Sequence, residues 1–315
     1  MKILLLGANG QLGRSFLEHG GLAARGDVVA ATRDGALAAG GVGAVADLSD
    51  PTSLPAALDR VQPELIINAA AYTAVDRAEQ EETLATRVNA EAVGVIGRWA
   101  AAHGALVFHY STDYVFDGHQ SQPYAVEAPT APLGAYGRSK LAGEVALRDS
   151  GADHLLLRTA WVYAAHGKNF LRTMLRLGAE RDELRVVADQ HGAPTDTGLI
   201  VHASLAALDA WQRAVTVTRP RLRGIHHLVA SGATTWHGFA TAIFEQATTH
   251  GLLAHAPRVV PITSAEFPTP ARRPAWSLLD DTGFESRFGV ALPDWRVGLE
   301  SVMARLAAGH PDTAS

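Results

Sequence analysis

The chain has 315 residues, with 32 acidic and 27 basic side chains and a formal net charge of −5, so binding to a polyanion such as nucleic acid is not expected. Hydrophobic residues make up 47% and charged residues 19% of the sequence, which excludes a disordered chain and provides enough apolar surface for a large core. The absence of cysteine excludes disulfides, thiolate nucleophiles and cysteine-ligated metal centres.

The amino terminus leads directly into an apolar run. Residues Met1–Leu6 are far too short for the apolar region of a signal peptide, and no apolar run reaches the length of a transmembrane helix. We therefore expect a soluble, cytoplasmic protein with no membrane partner.

Short apolar runs alternate with helical patterns through the first half of the chain. Such runs are typical of strands that are buried on both faces, and their strand-helix-strand spacing predicts right-handed crossovers. We expect a Rossmann-type doubly wound parallel sheet in an α/β protein. The predicted strands are Ile3–Leu6, Val28–Ala31, Leu65–Ile67, Leu106–Phe108 and Leu155–Leu157.

The rhythm changes after about Trp161, where long helical segments separate short β pieces. We expect a mainly dinucleotide-binding domain with the catalytic residues at 1–160, a mainly substrate-binding lobe at 161–309 with a possible strand return to the sheet, and a disordered tail at 310–315. The Ala- and Gly-rich segment Gly35–Ala46 is predicted to be a solvated loop. The predicted elements of the lobe are strands at Arg185–Val187 and Gly224–Val229 and helices at Thr197–Arg213, Thr235–His250 and Pro293–Ala307.

A glycine-rich turn follows the first predicted strand. Gly7 permits a tight turn, Gly10 permits close approach of a pyrophosphate, and Gly13 permits close packing of the next helix on the strand. The start of that helix favours anions because its N–H groups are unpaired. The spacing is GxxGxxG rather than GxGxxG; an ordinary glycine-rich turn is the alternative, and the position after an amino-terminal strand favours a nucleotide site.

The second predicted strand ends at Ala31-Thr32-Arg33, where an acidic residue would bind the ribose 2′-OH of NADH. Arg33 can pair with a 2′-phosphate instead. The sequence thus favours NADPH over NADH and leaves the acceptance of NADH open; the alternative is that Arg33 is an ordinary solvated charge.

Tyr136 and Lys140 lie four residues apart on a predicted helix and therefore share one face. An ammonium group near a phenol lowers the pKa of the phenol and suits it to proton transfer during hydride transfer. The pattern is common on helices and has little weight alone.

Hydroxyl side chains stand at the carboxyl end of the fourth predicted strand, upstream of this helix. Ligands bind at that edge of a parallel sheet. Thr112 can donate a hydrogen bond to a substrate oxygen there, although Ser111 and Thr112 also fit a capping role, and Tyr114 and Phe116 also fit a core.

Motifs from Met1 to about Met303 together resemble the dTDP-4-dehydrorhamnose reductases, a family of extended short-chain dehydrogenase/reductases. The glycine turn and the YGRSKLAGE segment are superfamily features, whereas the others point to the reductase branch. The motifs are GANGQLG at 7–13, NAAAYTAVDRAE at 68–79, STDYVFDG at 111–118, YGRSKLAGE at 136–144, RTAWVY at 158–163, DQHGAPT at 189–195 and RRPAWSLLD at 272–280.

The resemblance implies that NADPH delivers hydride to C4 of a 4-keto dTDP-sugar, giving dTDP-L-rhamnose for polysaccharide or glycoside biosynthesis, and that Tyr136 supplies the proton. It implies Thr112, Tyr136 and Lys140 as catalytic residues. The implied cofactor contacts are Gly7, Gly10, Gln11, Leu12, Gly13, Asp47, Leu48, Ala70, Ala71, Thr73, Tyr136 and Lys140, in addition to Arg33. The implied substrate contacts are Thr112, Asp113, Tyr114, Tyr136, Trp161, Arg272 and Arg273.

Some family members dimerise through a Mg²⁺ that acidic side chains hold at three places. This chain has Ser15, Gly198 and Arg296 at the positions that we align with those ligands. A hard cation needs oxygen ligands, and an arginine would repel it. We expect no metal and no metal-linked dimer, and the sequence leaves monomer and dimer open.

There are four alternatives. Dehydratases place Asp-Glu after the threonine, whereas Tyr114 follows Asp113 here, which argues against elimination chemistry; a 4-epimerase or a related 4-ketoreductase is also open. A non-catalytic binding protein, such as the regulatory subunit of methionine adenosyltransferase, also resembles the family. The sequence leaves open the nucleotide base and the stereochemistry at C4.

Overall fold

Seven strands form the central sheet in a computed structural model of the chain, which describes residues 1–215 and 217–309. They are β1 (Lys2–Leu6), β2 (Asp27–Thr32), β3 (Ala44–Val45), β4 (Leu65–Asn68), β5 (Leu106–Thr112), β6 (Asp153–Thr159) and β11 (Gly224–His227). Their order is β11-β6-β5-β4-β1-β2-β3, and all neighbours are parallel. The doubly wound class is confirmed. The tail predicted at 310–315 lies outside the described residues.

Helices cover both faces of this sheet. Side chains of α1, α8 and α10 form one apolar core with it, and side chains of α2, α5 and α6 form another. A π-helical segment at Arg87–Glu91 leads into α5. The helices are α1 (Gln11–His19), α2 (Leu54–Val61), α3 (Val75–Ala78), α4 (Glu82–Thr86), α5 (Ala92–His103), α6 (Ala135–Asp149), α7 (Phe170–Glu180), α8 (Thr197–Arg213), α9 (Trp236–Thr249), α10 (Thr282–Phe288) and α11 (Trp295–Ala307).

A third apolar core lies in the carboxyl-terminal part, where α7, α9 and α11 pack together with small strand pairs. Polar side chains cap helices in the second half of the chain. Asn169 caps α7, Asp196 caps α8 and Thr235 caps α9, each by accepting a hydrogen bond from a backbone N–H of the first turn. The strands here are β7 (Val162–Tyr163) with β10 (Thr195–Asp196), β8 (Glu183–Val187) with β13 (Arg258–Ile262), and β9 (His191–Gly192) with β12 (Thr234–Thr235).

The segment Gly35–Ala46 differs from its prediction as a solvated loop. Gly35 and Gly41 adopt φ of +82° and +91°, and the chain turns back through an Ala36–Val42 bridge. It then adds β3 to the edge of the sheet beside β2. Glycines in the left-handed region make this tight return possible, so the composition encoded a turn and an edge strand.

Three catalytic or cofactor candidates share one edge of the sheet. The strand order reverses beside β1, and a crevice for ligands forms at the carboxyl ends of strands around such a point. The glycine turn follows β1, Ala70 follows β4, and Thr112 ends β5.

Candidate active site

The glycine turn has the shape that a phosphate group requires. Gly7 has φ of +76°, and a Cβ on it would lie 2.7 Å from backbone atoms of Ala70. Gly10 is the extended residue before α1 and has no side-chain cap, so the first N–H groups of α1 face the crevice without an internal partner. A Cβ on Gly13 would lie 2.8 Å from the Cα of Ala8. The backbone of Gly7, Gly10 and Gly13 thus forms a cradle whose shape and free N–H groups suit an anion.

A segment that the sequence analysis missed packs against this cradle. Asn169 Nδ2 donates to the Gln11 side-chain oxygen at 2.8 Å, and His166 Nε2 lies 3.0 Å from the Gln11 carbonyl. Asn169 also caps α7, and that capping pattern is the only signal in its sequence. His166 and Asn169 thus hold the start of α1 in place.

The end of β2 presents Arg33 to solvent. The next carboxylate, Asp34, is occupied: it accepts from the Ala36 N–H and the Thr32 hydroxyl, and these bonds lower its pKa. Asn9 ties the following turn to the glycine loop, because its amide bonds both Ala36 and Ala38 at 2.8 Å. Arg33 is therefore the charged side chain that this strand end offers to a ligand.

The remaining predicted cofactor contacts lie beside the cradle in different environments. Asp47 accepts from the N–H and the hydroxyl of Ser49 at 2.8 and 2.7 Å, so its carboxylate forms a local turn. Leu48 is buried in the core beneath α2 and α5. Ala70 and Ala71 are half-buried, and Thr73 is exposed.

Thr112, Tyr136 and Asp113 meet at the end of β5. The Thr112 hydroxyl lies within hydrogen-bonding reach of the Tyr136 phenol, donates to Asp113 Oδ1 at 3.0 Å and accepts from the Tyr114 N–H at 3.2 Å. The Tyr114 and Tyr136 rings contact edge to face at 5.6 Å. A reacting oxygen placed here would meet two hydroxyl groups.

The pKa of the phenol differs from the expectation drawn from the Tyr136–Lys140 spacing. Burial raises the pKa of Tyr136 to about 12, because the phenolate loses its hydration, and Asp113 adds to this effect. Lys140 Nζ donates to the Tyr110 carbonyl at 2.6 Å and lies 3.4 Å from His109 Nε2. Burial also lowers the pKa of Lys140 to about 8. The pKa of Tyr136 is thus raised rather than lowered as the spacing predicted, because the effect of burial exceeds any stabilisation of the phenolate by Lys140.

Asp113 carries a carboxylate oxygen that lacks a partner. The residue is 2% exposed, and its Oδ2 is buried without a hydrogen bond. Burial raises its pKa to about 6, and the hydrogen bond that Thr112 donates to the other oxygen opposes this rise. Such a group is ready to accept a hydrogen bond from a ligand hydroxyl.

Trp161 lies in a strained position on the other side of this site. Its φ is +48°, which is uncommon for a bulky residue, and its ring stacks on Trp236 at 3.6 Å and 7°. The sequence analysis missed Trp236, which is the first residue of α9, directly after its N-cap Thr235, and carries no motif of its own. One face of Trp161 is therefore covered, and a ligand can contact only its remaining surface.

The two candidate arginines differ in position. Arg273 Nη2 donates to Asp76 at 3.0 Å, its Nε is buried without a partner, and its charge acts on Tyr114. Arg272 is exposed. The structure thus brings Arg273 toward the tyrosines and leaves Arg272 at the surface.

Two of the three positions aligned with a metal site have side chains, and both of these side chains have other partners. The Ser15 hydroxyl is buried and donates to Thr197 at 2.7 Å, while Arg296 pairs with Asp294. Within residues 1–215 and 217–309, no cluster of three or more His, Asp or Glu side chains could hold a metal ion. No helix in the same residues is both long and apolar enough to cross a membrane.

Comparisons with known proteins agree with one another. The family described as RmlD substrate binding domain matches residues 1–308. A dTDP-4-dehydrorhamnose reductase of Burkholderia thailandensis is 46% identical over 310 residues, which are 95% of this chain and 97% of the relative.

Two further matches are informative. The crystal structure of a dTDP-4-dehydrorhamnose reductase from Bacillus anthracis in complex with NADP superposes with a TM-score of 0.81 at 31% identity, covering 96% of this chain and 98% of that one. A probable dTDP-4,6-dihydroxy-2-methyloxan-3-one 4-ketoreductase of Streptomyces antibioticus is 39% identical over 316 residues, covering 99% of this chain and 98% of the relative.

Proposed function

Because the chain belongs to the dTDP-4-dehydrorhamnose reductase family, we propose that it reduces the C4 keto group of dTDP-4-dehydro-L-rhamnose to give dTDP-L-rhamnose, with NADPH as the reductant. The family membership confirms the resemblance drawn from the sequence motifs. The product serves deoxysugar transfer to a polysaccharide or a glycoside. The observation that carries the proposal is the meeting of Thr112 and Tyr136 beside the glycine cradle.

The residues present fit NADPH. A Cβ would fill the space at Gly7, the start of α1 has no side-chain cap, and Arg33 is exposed at the end of β2. The cradle would hold the pyrophosphate, and Arg33 would pair with the 2′-phosphate. Bound NADPH supplies the hydride for C4.

The protein's own residues supply the proton and the position of the substrate. Tyr136 holds a phenol proton that its raised pKa keeps in place at neutral pH, and it releases that proton to the C4 oxygen as negative charge develops there. Thr112 donates to the same oxygen after its hydroxyl turns from Asp113. The positive charge of Lys140 favours the phenolate that remains.

Side chains from distant segments would bind the sugar nucleotide. The unpartnered oxygen of Asp113 accepts from a sugar hydroxyl, Trp161 offers an apolar edge to the deoxy carbon, and the free Nε of Arg273 faces the diphosphate. Arg272, which is exposed, would add a second cation at the rim.

The reaction itself is the direct test. The purified protein is incubated with NADPH and dTDP-4-dehydrorhamnose while NADPH absorbance is followed and the product is identified by NMR. We expect stoichiometric NADPH consumption and dTDP-L-rhamnose. Binding of both compounds without turnover would favour the non-catalytic alternative, and NADPH-independent isomerisation would favour an epimerase.

A related nucleotide-sugar 4-ketoreductase is the second candidate, because the probable 4-ketoreductase of Streptomyces antibioticus matches nearly the whole chain. Product stereochemistry at C4, and the rates with sugars that differ elsewhere in the ring, distinguish the two. Dependence on NADPH supports the expected cytoplasmic location, and the net charge of −5 argues against a nucleic-acid partner.

A further inference from the structure

A buried polar ladder joins β5 to the helix that carries Tyr136 and Lys140. His109 and Ser111 are two apart on the strand and face the helix, while Lys140 and Glu144 are four apart on α6. His109 Nε2 meets Lys140 Nζ at 3.4 Å, and the Ser111 hydroxyl donates to Glu144 at 2.5 Å. The two repeats are both about 6–7 Å long, so each strand residue meets one helix residue.

The orientation of His109 follows from its other neighbour. The Ala70 N–H donates to Asn68 Oδ1 at 3.2 Å, which leaves the Asn68 amide NH₂ facing His109 Nδ1 at 3.1 Å. An NH₂ group can only donate, so Nδ1 is an acceptor without a proton. The proton of the neutral imidazole is therefore on Nε2, the nitrogen that faces Lys140.

The imidazole is neutral because it is fully buried, and burial together with the charge of Lys140 holds the pKa of His109 well below its usual value. An N–H that faces an ammonium group places two donors against each other, whereas the same N–H donates to an uncharged amine. Lys140 Nζ is anchored at the same time by the Tyr110 carbonyl.

Other charged groups around Lys140 act in known directions. Glu144, on the same helix, favours the ammonium but is itself paired with Arg158 of β6 through both carboxylate oxygens. The pKa of His154 on β6 is lowered, so its imidazole is uncharged at neutral pH. Tyr136 of α6 is uncharged until it loses its proton.

We propose that His109, oriented by Asn68, is a positioning residue that presents an N–H to Lys140 Nζ while the Tyr110 carbonyl anchors the same nitrogen, and that His109 thereby favours the uncharged amine. Glu144 and His109 then oppose each other across Lys140. Only the kinetic consequence rests on the proposed reductase function: the reducing rate falls as pH rises through the range where Lys140 loses its charge, and His109 sets that range.

The chain offers an unusually direct test because it contains three lysines, Lys2, Lys140 and Lys168. Lysine labelled with ¹³C at Cε gives one NMR signal for each, and Lys140→Met identifies the signal of interest. The protein is titrated without NADPH or sugar, so the result does not depend on reductase activity.

We expect Lys140 to titrate near pH 8 in the wild type. His109→Leu should raise that pKa by about half a unit to one unit, because the uncharged amine loses its donor. His109→Gln should stay near the wild type, since its amide can accept from Asn68 and donate to Lys140. The control His154→Gln changes a buried histidine of the neighbouring strand and should leave the titration unchanged.

Two results would overturn the proposal. One is a Lys140 pKa that does not move in His109→Leu. The other is an imidazole ¹⁵N spectrum of the wild type with the His109 proton on Nδ1, a measurement that remains decisive even if His109→Leu fails to fold. In the reductase assay, the alkaline limb of the pH profile of kcat should move to higher pH in His109→Leu, by the same amount as the NMR titration of Lys140. An alkaline limb that stays in place would show that the charge of Lys140 does not control the rate.

Discussion

In the proposed site, the cradle formed by Gly7, Gly10 and Gly13 and the wall formed by Asp113, Tyr114, Trp161 and Arg273 are built by different means. The cradle is a single short stretch of backbone, and its ligand groups are N–H groups at the start of α1. The wall collects side chains from three separate segments, and it contains strain and unpaired groups: the φ of +48° at Trp161, the Asp113 oxygen and the Arg273 Nε.

This difference indicates how each half of the site recognises its ligand. A backbone cradle recognises the phosphates that every dinucleotide shares, and it tolerates few changes because glycine is required by geometry. The wall keeps unsatisfied groups for a ligand to satisfy, so its residues reduce the stability of the protein without that ligand. Changes in the two halves should therefore have opposite effects on stability.

Tyr136→Phe changes the proposed proton donor of the site, and we expect it to have the largest effect on kcat. Loss of the phenol proton should lower kcat by about 10²–10⁴-fold with little change in NADPH affinity. Steady-state kinetics and NADPH titration measure the two quantities. Thr112→Val should have a milder effect on kcat, and a loss within tenfold for Tyr136→Phe would reject its role as the acid.

Gly7→Ala should damage the cradle. Its Cβ would meet the Ala70 backbone at 2.7 Å in addition to the strain of φ +76°, so we expect lower stability and weaker NADPH binding together. Gly20→Ala is the matched control: its φ is +71° and no atom lies within 4 Å, so strain alone should remain, about 1–2 kcal/mol. Equal NADPH affinity in both variants would contradict a cradle at Gly7.

Arg33→Ala should separate the two dinucleotides. Loss of a charge-assisted hydrogen bond to a partly exposed phosphate should weaken NADPH by about 1.5–3 kcal/mol, while NADH is little affected because it has no 2′-phosphate. Fluorescence titrations with both dinucleotides measure this. Equal losses of affinity for NADPH and NADH would mean that Arg33 contributes only a general positive charge and does not recognise the 2′-phosphate.

Asp113→Asn should stabilise the protein and impair the reaction, in contrast to Gly7→Ala. The pKa of Asp113 rises from 3.8 to about 6 in the folded state, so the stability that its proton contributes is full below about pH 4 and is lost as pH rises through 6. At pH 7 the substitution should therefore add up to about 3 kcal/mol to the free energy of unfolding, and the gain should disappear near pH 4. Urea unfolding at the two pH values, with KM for the sugar nucleotide, checks this; destabilisation at pH 7 would contradict it.

The smallest expected effect is that of Mg²⁺. Ser15 is bonded to Thr197 and Arg296 to Asp294, so neither the charge nor the oxygen shell that Mg²⁺ requires is present at these positions. EDTA should leave kcat unchanged, and light scattering should give the same mass with and without Mg²⁺. A Mg²⁺-dependent dimer that EDTA reverses would mean that other carboxylates bind the metal.

Local patterns in the sequence determined the parallel sheet, the helix at Thr197–Arg213 and the cradle, because buried runs, caps and glycines act on residues a few positions apart. The same reasoning placed Thr112 at the carboxyl edge of the sheet and Tyr136 and Lys140 on one face of a helix, whereas their joint catalytic role was implied only by the family resemblance. It did not find β3, whose residues pair only through a neighbouring strand.

Only the tertiary structure decided the protonation of the site and the composition of the wall. The pKa of Tyr136 depends on how much water the surrounding segments exclude, and the spacing of Tyr136 and Lys140 contains no information on that. Trp236 reaches Trp161, and Asn68 orients His109 from another strand, through contacts between residues far apart in the chain. Desolvation and long-range contacts arise when the whole fold forms, so they are properties of the packed molecule rather than of any local motif.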